Sequence, residues 1–484
     1  MNQVDNALVQ FWNELKKIPV PDNLPENYNK FLRLPENIYL FGNSKNKSGI
    51  LLRKAYFDLF EMFIHPKDPE QSKLVITGNP GIGKTLFCVF VMWHAARENR
   101  TVVWDAPLDN MQYLFTSTEV RYAPRSNLSF YKYMKNPEVW YIVDAHEPFS
   151  YPARTLLVTP PQRNIYKHIL KLPDAMKVYM PTWTFEELEI CRQELFPEVS
   201  MEQMERLFRI WGGIPRTVLQ RANRDPSVLK DEMESALSVC NLEVCVHAVG
   251  EMNSDKDVSH RCLHVVVEND NYSRVKLRFG SPYIEHRLIQ SFIQYQRQQL
   301  VEFLAAADGQ ADYAALRGYI FEGFAHSVLS RGGTFTVRPL QTDSSEQDLK
   351  VQPTDWKTFS RLNDVDMTSS LAYWQPIQSN LASVDAMTKA TKFESSEEWQ
   401  PALFQMTISV THPIKVTGLQ LILERAKGLP LGTRRLFFVV PPNTFDRIGR
   451  QDYHNEKGTV YAKTLPSEFD LVEQWALKIN LSCD

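Results

Sequence analysis

Leu74-Val-Ile-Thr-Gly-Asn-Pro-Gly-Ile-Gly-Lys-Thr85 reads as an apolar strand that runs into a glycine-rich turn and, at Lys84, into a helix. Gly78 to Thr85 fits GxxxxGK[ST] at every fixed position. The glycines let the backbone turn so that successive N–H groups face phosphate oxygens. Gly78, Asn79, Pro80, Gly81, Ile82 and Gly83 form the cradle, Lys84 reaches the β and γ phosphates as a mobile point charge, and the Thr85 hydroxyl ligates magnesium. The expected ligand is a nucleoside triphosphate, ATP or GTP, with Mg2+.

Outward from this loop, short apolar runs alternate with helical patterns from Asn37 to Asn223, which predicts an α/β layer with a parallel sheet. Leu74–Thr77, Thr101–Trp104, Trp140–Val143, Thr155–Val158 and Lys177–Met180 are the strand candidates. Asp144, after the run Trp140–Val143, stands where a carboxylate holds magnesium through water, or is a simple turn acid. Glu147, three residues on, either orients an attacking water or is a solvated loop acid. Thr159 closes the next run and either senses the γ phosphate, as in additional-strand ATPases, or ends a strand in the ordinary way. Thr184-Phe-Glu-Glu187 and Ser200-Met-Glu-Gln203 have capping-box spacing and open the helices of a lid. In Gly212-Gly-Ile-Pro-Arg216 the glycines end one lid helix and Pro215 starts the next at its first turn. Arg216 can then lean to the phosphates.

Beyond Pro226 the pattern weakens. His264–Glu268 and Arg274–Phe279 alternate like strands, and Glu285–Ala305 reads as one long helix in a connector. A third section follows, with a helix Tyr313–Ser330, the stop Arg331-Gly-Gly333 and a strand Thr334–Arg338. Gln341–Ser370 is polar and expected to be a loop or insertion. After it come an extended run ending near Asp385, a strand Ala402–Val410, a helix Lys415–Lys427 and a strand Leu436–Val440.

With 484 residues, 43% apolar and 23% charged, the chain has the composition of a globular protein of two or three domains. No window approaches the 18 uncharged apolar residues needed to cross a bilayer, so no membrane partner is expected. Met1–Lys17 reads as an amphipathic helix, without the basic start or apolar core of a signal peptide. A net charge of −3 gives no global attraction to nucleic acid, which leaves a local basic patch as the only electrostatic route to DNA. The six cysteines are scattered without a CxxC pair, which fits reduced thiols in a nuclear or cytosolic protein better than zinc.

Leu34-Pro-Glu-Asn-Ile-Tyr-Leu-Phe-Gly42, Leu52-Arg53 with Tyr56, the glycine loop, Thr182-Trp-Thr-Phe-Glu-Glu-Leu188 and Gly212–Arg216 resemble the ATPase module of Crinkler proteins. Phe321-Glu-Gly-Phe-Ala-His326, Phe404-Gln-Met-Thr407 and His412-Pro-Ile414 resemble the C-terminal part of the same family. The resemblance runs from about Pro35 onward; the family's targeting header is not recognised before it. Crinkler effectors of oomycetes and fungi, and the related retrotransposon hot spot proteins of trypanosomes, join such an ATPase to a restriction-endonuclease-like domain.

The resemblance therefore implies an N-terminal helical segment (1–36), a P-loop NTPase of AAA+/STAND-like type with a helical lid (37–225), a connector (226–308) and a restriction-endonuclease-like α/β domain (309–484). It also implies ATP hydrolysis coupled to double-stranded DNA, action in the nucleus of a host cell after secretion, and host nuclear proteins or further copies of the chain as other partners. In a nuclease of that type Glu322 would come from the first helix and Asp385 from a strand, both ligating magnesium, while Gln405-Met-Thr407 would fill the Glu/Gln-x-Lys position. Alternation puts Leu403, Gln405 and Thr407 on one face of the strand and Phe404 and Met406 on the other, so the polar face is expected to look into a cleft. Thr407 departs from the pattern, because threonine cannot supply the lysine's charge. Lys389, Lys392 or His412 would have to substitute. Arg331, Arg338, Arg434 and Arg435 are candidates for a phosphate-facing patch. The rival expectation is a degenerate nuclease fold that binds DNA or protein without cutting.

Overall fold

The structure is a computed structural model that describes residues 6–19, 31–106, 110–242, 259–268, 270–306, 314–340, 345–368, 372–377, 383–425, 434–462, 464–465 and 467–481. The chain divides into two compact units: Met1–Glu232 with Glu251–Arg278, and Met233–Gly250 with Phe279–Asp484.

Unit 1 opens with helix α1 (Asn6–Lys17), followed by a small hairpin of β1 (Phe31–Arg33) and β2 (Gly49–Leu51) and by helix α2 (Lys54–Ile64). Its main sheet comes from β3 (Lys73–Thr77), β4 (Val102–Asp105), β5 (Met111–Phe115), β6 (Val120–Pro124), β7 (Trp140–Asp144), β8 (Arg154–Val158) and β9 (Ala175–Tyr179). The order across the sheet is β6-β5-β4-β7-β8-β3-β9. β4, β7, β8, β3 and β9 are parallel, and the central ones carry the apolar runs expected of strands buried on both faces, whereas edge strand β9 is only partly buried and includes Lys177. All five were legible as strands within a residue or two. The antiparallel pair β5 and β6 was not, because it sits at the sheet edge and mixes polar residues into its pattern.

Helix α3 (Lys84–Arg97) follows the glycine loop and is apolar on nearly every side. Such a helix must be enclosed. Here Phe60 and Phe90 pack on His94, α1 covers the far side, and the indole N–H of Trp93 donates to Ile18 O at 3.0 Å. After β9 come α4 (Phe185–Leu195), with the full Thr184–Glu187 capping box, and α5 (Met201–Trp211), capped by the Ser200 hydroxyl. Gly212 ends α5. The next segment is a short π-helical turn, Arg216–Gln220, and Pro215 is its N-cap rather than its first helical residue. Helix α6 (Pro226–Val239) follows, and later the hairpin of β10 (Leu263–Glu268) and β11 (Asn271–Phe279).

Unit 2 contains α7 (Pro282–Tyr295), α8 (Arg297–Ala306) and α9 (Ala314–Arg331). The single helix expected over Glu285–Ala305 is thus two, broken at Gln296, which leaves the helical region at φ −136°. The strands are β12 (Gly333–Pro339), β13 (Gln347–Val351), β14 (Asp355–Phe359), β15 (Ala372–Pro376), β16 (Ala386–Phe393), β17 (Gln400–Met406), β18 (Ile414–Lys415), β19 (Arg434–Val440), β20 (Tyr453–His454) and β21 (Val472–Lys478), with helix α10 (Val416–Arg425) between β18 and β19. The large sheet runs β13-β12-β21-β19-β17-β16-β15-β14, and β13 also pairs with β16, Leu349 opposite Phe393.

Three expectations for unit 2 are corrected. The polar stretch Gln341–Ser370 is not a loop, since it supplies β13 and β14 from its described residues; β13 alternates exposed polar positions with buried Leu349 and Val351. Asp385 immediately precedes β16 instead of closing a strand, and its N–H donates to Phe404 O. The strand expected over Ala402–Val410 ends at Met406; Thr407 N still donates to Val439 O, and the Thr407 hydroxyl accepts from Ser409 N where the chain turns away. Both faces of β17 are covered: Leu403 lies in the core with Leu436 and Phe438, and Phe404 stacks on Tyr373.

Candidate functional site

The loop Gly78–Thr85 connects β3 to α3 with Gly78, Gly81 and Gly83 at φ of 148°, 85° and 95°. A side chain at any of the three would be strained and crowded. A Cβ on Gly78 would come within 2.7 Å of Met180 O, on Gly81 within 2.9 Å of Arg216 Cβ, and on Gly83 within 2.8 Å of the Tyr56 hydroxyl. Neighbours fasten the loop through its carbonyls. Tyr56 donates to Gly83 O at 2.9 Å, Trp183 Nε1 to Ile82 O at 2.7 Å, and Arg216 N to Gly81 O at 3.3 Å. Three of the loop carbonyls are thus held by neighbouring elements.

Lys84 curls back over the loop and donates to Gly78 O at 2.7 Å and Asn79 O at 2.8 Å. Burial lowers its ammonium to about 7; Asp144 opposes that shift and Arg216 adds to it. Asp144, the last residue of β7, is buried, and that burial raises its carboxyl above the usual range against the pull of Thr85, Lys84 and Arg216. Its Oδ2 is buried without a hydrogen-bond partner, as is the Thr77 hydroxyl at the end of β3. An orphaned carboxylate oxygen close to the Thr85 hydroxyl supplies oxygen donors of the kind a hydrated magnesium ion takes.

These groups border a cavity of about 690 Å3, within the range of nucleotide-sized ligands. Pro80, Gly81, Gly83, Lys84, Thr85, Asp144 and Arg216 line its polar end; Leu40, Ile50, Leu51, Trp183, Leu195 and Phe196 line a largely apolar end, where Lys47, over the Phe196 ring, and its partner Glu198 also lie. The structure therefore brings Lys84, Thr85, Asp144 and Arg216 together. Thr159 is fully buried after β8 and turns its hydroxyl to Pro160 O, not toward the cavity. Glu147 is more than half exposed, 4.0 Å from His168, and is not among the lining residues. The apolar end was not read from sequence, because it joins the β1–β2 hairpin to a helix some 140 residues later and no local pattern carries that information.

A second group of polar side chains lies in unit 2, around the fully buried Tyr373 of β15. Burial raises its phenol far above the usual value, and the charges of Asp385, Glu285 and Glu322 raise it further. His326 bonds the phenol through Nδ1 at 2.7 Å, and its Nε2 lies 4.0 Å from Glu322 one helical turn earlier. Burial pushes this imidazole down to about 3, so it is neutral. Asp385 Oδ2 accepts from Gln405 Nε2 and Met406 N, both at 2.7 Å, and Gln405 Oε1 is buried without a partner. Glu322, Asp385 and Gln405 thus gather around one phenol. Glu285 was missed: it crosses α9 at Gly323, where a Cβ would meet its Oε1 at 2.8 Å, and its Oε2 accepts from Gln375 at 3.2 Å. Gly323, inside a helical pattern, was the available signal of a close approach.

Thr407 is buried beside this group, but its hydroxyl serves Ser409 N. Lys389 donates to Thr368 O and Lys392 sits over the Trp399 ring. His412, lowered by burial, belongs to a segment tied by its own N–H to Gln451. Of the four arginines expected to face phosphate, Arg338 instead donates to the carbonyls of Phe445 and Ile448, Arg434 is buried and Arg435 stacks on Phe393. Among the described residues, no three His, Cys, Asp or Glu side chains are grouped as a metal site, and no helix is long and apolar enough to cross a membrane.

No protein-family model matches the chain. Two curated relatives from Phytophthora infestans, Crinkler effector protein 15 and Crinkler effector protein 16, are each 28% identical to it over 386 residues. The chain is similar to these Crinkler effector proteins, which supports the Crinkler resemblance read from its residues. The match covers 76% of this chain but only 59% and 58% of those Crinkler proteins, so the chain spans less than two thirds of their length.

Proposed function

We propose that this chain is a Crinkler-family effector that binds and hydrolyses a nucleoside triphosphate in unit 1 and acts on DNA with unit 2, in the nucleus of a host cell. One observation carries the first part: a loop of three left-handed glycines whose lysine lies 2.7 Å from a loop carbonyl, next to a buried carboxylate with an unpartnered oxygen. The strand order adds support. β8 lies between β3, which leads into the loop, and β7, which ends in Asp144, as in the additional-strand P-loop ATPases.

Thr85 and Asp144 would hold magnesium, which when bound neutralises charge on the triphosphate. Lys84 swings from the loop carbonyls to the β and γ oxygens, and the amides freed by the glycines bind the rest of the tail. Arg216, anchored at Gly81, reaches the same end of the cavity and links the segment after the lid helices α4 and α5 to the phosphate state. The apolar end holds the base. Glu147 and Thr159 have the weaker claim to a catalytic role, since neither borders the cavity as it stands.

For unit 2 the grouping of Glu322, Asp385 and Gln405 around Tyr373 supports a nuclease-type site. Thr407, however, favours a second reading in which this unit grips DNA or a nuclear protein without cutting. One experiment separates the possibilities: ATP and GTP turnover by the wild type and Lys84→Ala, with magnesium or EDTA, with and without supercoiled plasmid whose nicking is followed in parallel. We expect magnesium-dependent turnover that falls about a hundredfold or more in Lys84→Ala. Nicking lost in Asp385→Ala supports cleavage, while plasmid retention without nicking supports the second reading. A folded protein with no calorimetric affinity for either triphosphate would end the nucleotide hypothesis.

A further inference from the structure

Asn79 occupies a position that GxxxxGK[ST] leaves free, yet its side chain is completely buried and fully bonded. Nδ2 donates to His260 O and to Leu263 O, both at 2.9 Å, and Oδ1 accepts from Val265 N at 2.8 Å. An amide is the uncharged side chain that offers two donors and an acceptor at once, so Asn79 stitches the start of β10 to the loop as a ladder of main-chain bonds would. Its own carbonyl is one of the two that hold Lys84. The same residue therefore touches the ammonium through its main chain and a hairpin some 180 residues downstream through its side chain.

A second path joins the same two elements. The Tyr272 hydroxyl of β11 donates to Asp58 of α2 at 2.6 Å, and Tyr56, two residues earlier on α2, donates to Gly83 O. The hairpin β10–β11 is thus fastened to the glycine loop directly at one end and through α2 at the other. β11 closes at Phe279, where the chain leaves unit 1 and enters unit 2, and Ser281 then caps α7, the helix that carries Glu285.

We infer that Asn79 and the hairpin Leu263–Phe279 form the relay by which the phosphate state of the loop is passed to unit 2. This rests on the nucleotide reading of the loop. The Gly78–Asn79 backbone is held by Lys84 and by the Asn79 clamp. When Lys84 moves to phosphate, the tail grips the loop amides, the anchor of the hairpin fluctuates less, and local opening of β10 and β11 becomes rarer. Restraint at the loop is read as restraint at the chain segment that enters α7.

The test is hydrogen exchange of the full-length protein, followed by mass spectrometry of peptides covering 263–279, with and without a saturating non-hydrolysable ATP analogue and magnesium. Calorimetry on the same samples reports binding. We expect exchange in these peptides to slow about fivefold or more on binding. In Asn79→Ala, brought to its own saturation, the response should vanish from both strands. In Tyr272→Phe, which keeps all three Asn79 bonds, it should persist in β10 and be lost from β11. Analogue binding without any change in the wild-type hairpin, or an undiminished response in Asn79→Ala, overturns the relay and leaves the nucleotide site standing. Absence of binding in the wild type overturns both.

Discussion

A Cβ on Gly213 would lie 2.0 Å from Trp183 O, closer than at any other glycine described, although its φ is not in the left-handed region. Sequence alone gave this glycine the role of a helix stop, which belongs to Gly212. Its actual constraint is the bond from Trp183 N to Gly213 O at 2.9 Å, which presses the two backbones together where Trp183 meets the cavity beside the glycine loop. Gly213→Ala should therefore destabilise unit 1 by about 1–3 kcal/mol or more, since the clash is with backbone and cannot relax by rotamer change. Gly318 on α9 is the control, with nothing within 4 Å of a built Cβ. Gly318→Ala should stabilise unit 2 by about 0.5–1 kcal/mol. Thermal unfolding of the two variants beside the wild type checks both signs. Equal shifts would mean that the close approach at Gly213 does not matter.

Among elements, the junction of α2 with α4 depends on one guanidinium. Arg53 is 2% exposed, binds both Glu187 oxygens at 2.8 and 2.9 Å, donates to Pro181 O and Thr182 O, and stacks on Trp183 at 4.8 Å. Glu187 is also the reciprocal partner in the Thr184 capping box, so the same carboxylate seals the start of α4 and binds the residue that precedes the start of α2. Arg53→Met should cost about 3–5 kcal/mol by leaving that carboxylate uncompensated, and the double variant with Glu187→Met should recover part of the loss. Denaturant melts of the three proteins measure this; a double variant no better than the single one would refute it. The capping box was legible because it is local, at spacing three. Arg53 was not, since its partners lie 128 to 134 residues away. The same distinction runs through the fold. Doubly buried parallel strands announce themselves as apolar runs, whereas β5, β6, β13 and β14 mix polar residues into their patterns. The break at Gln296 has no glycine or proline to mark it. The group around Tyr373 draws on α7, α9, β15, β16 and β17, which only folding brings together.

For the molecule as a whole, two compact units with separate cores predict two unfolding transitions by calorimetry. A nucleotide that binds only unit 1 should move one of them. At a hundredfold excess over Kd the gain is about 2.7 kcal/mol, and removing magnesium with EDTA should abolish most of it. A uniform shift of a single transition would show that the units melt as one body.

The pairing of β13 with β16 has a consequence for how copies of unit 2 behave in a crowded cell. Main-chain groups along an open sheet margin are a template for another chain. Because β13 folds back onto β16, the large sheet is left, among the described residues, with its open margin at β14. There Asp355 and Lys357 face outward, and Trp356 is covered by the ring of His286. A strand that offers alternating charge and a capped indole is a poor partner for strand addition, so this unit guards against edge-to-edge aggregation by curling one side of its sheet and charging the other.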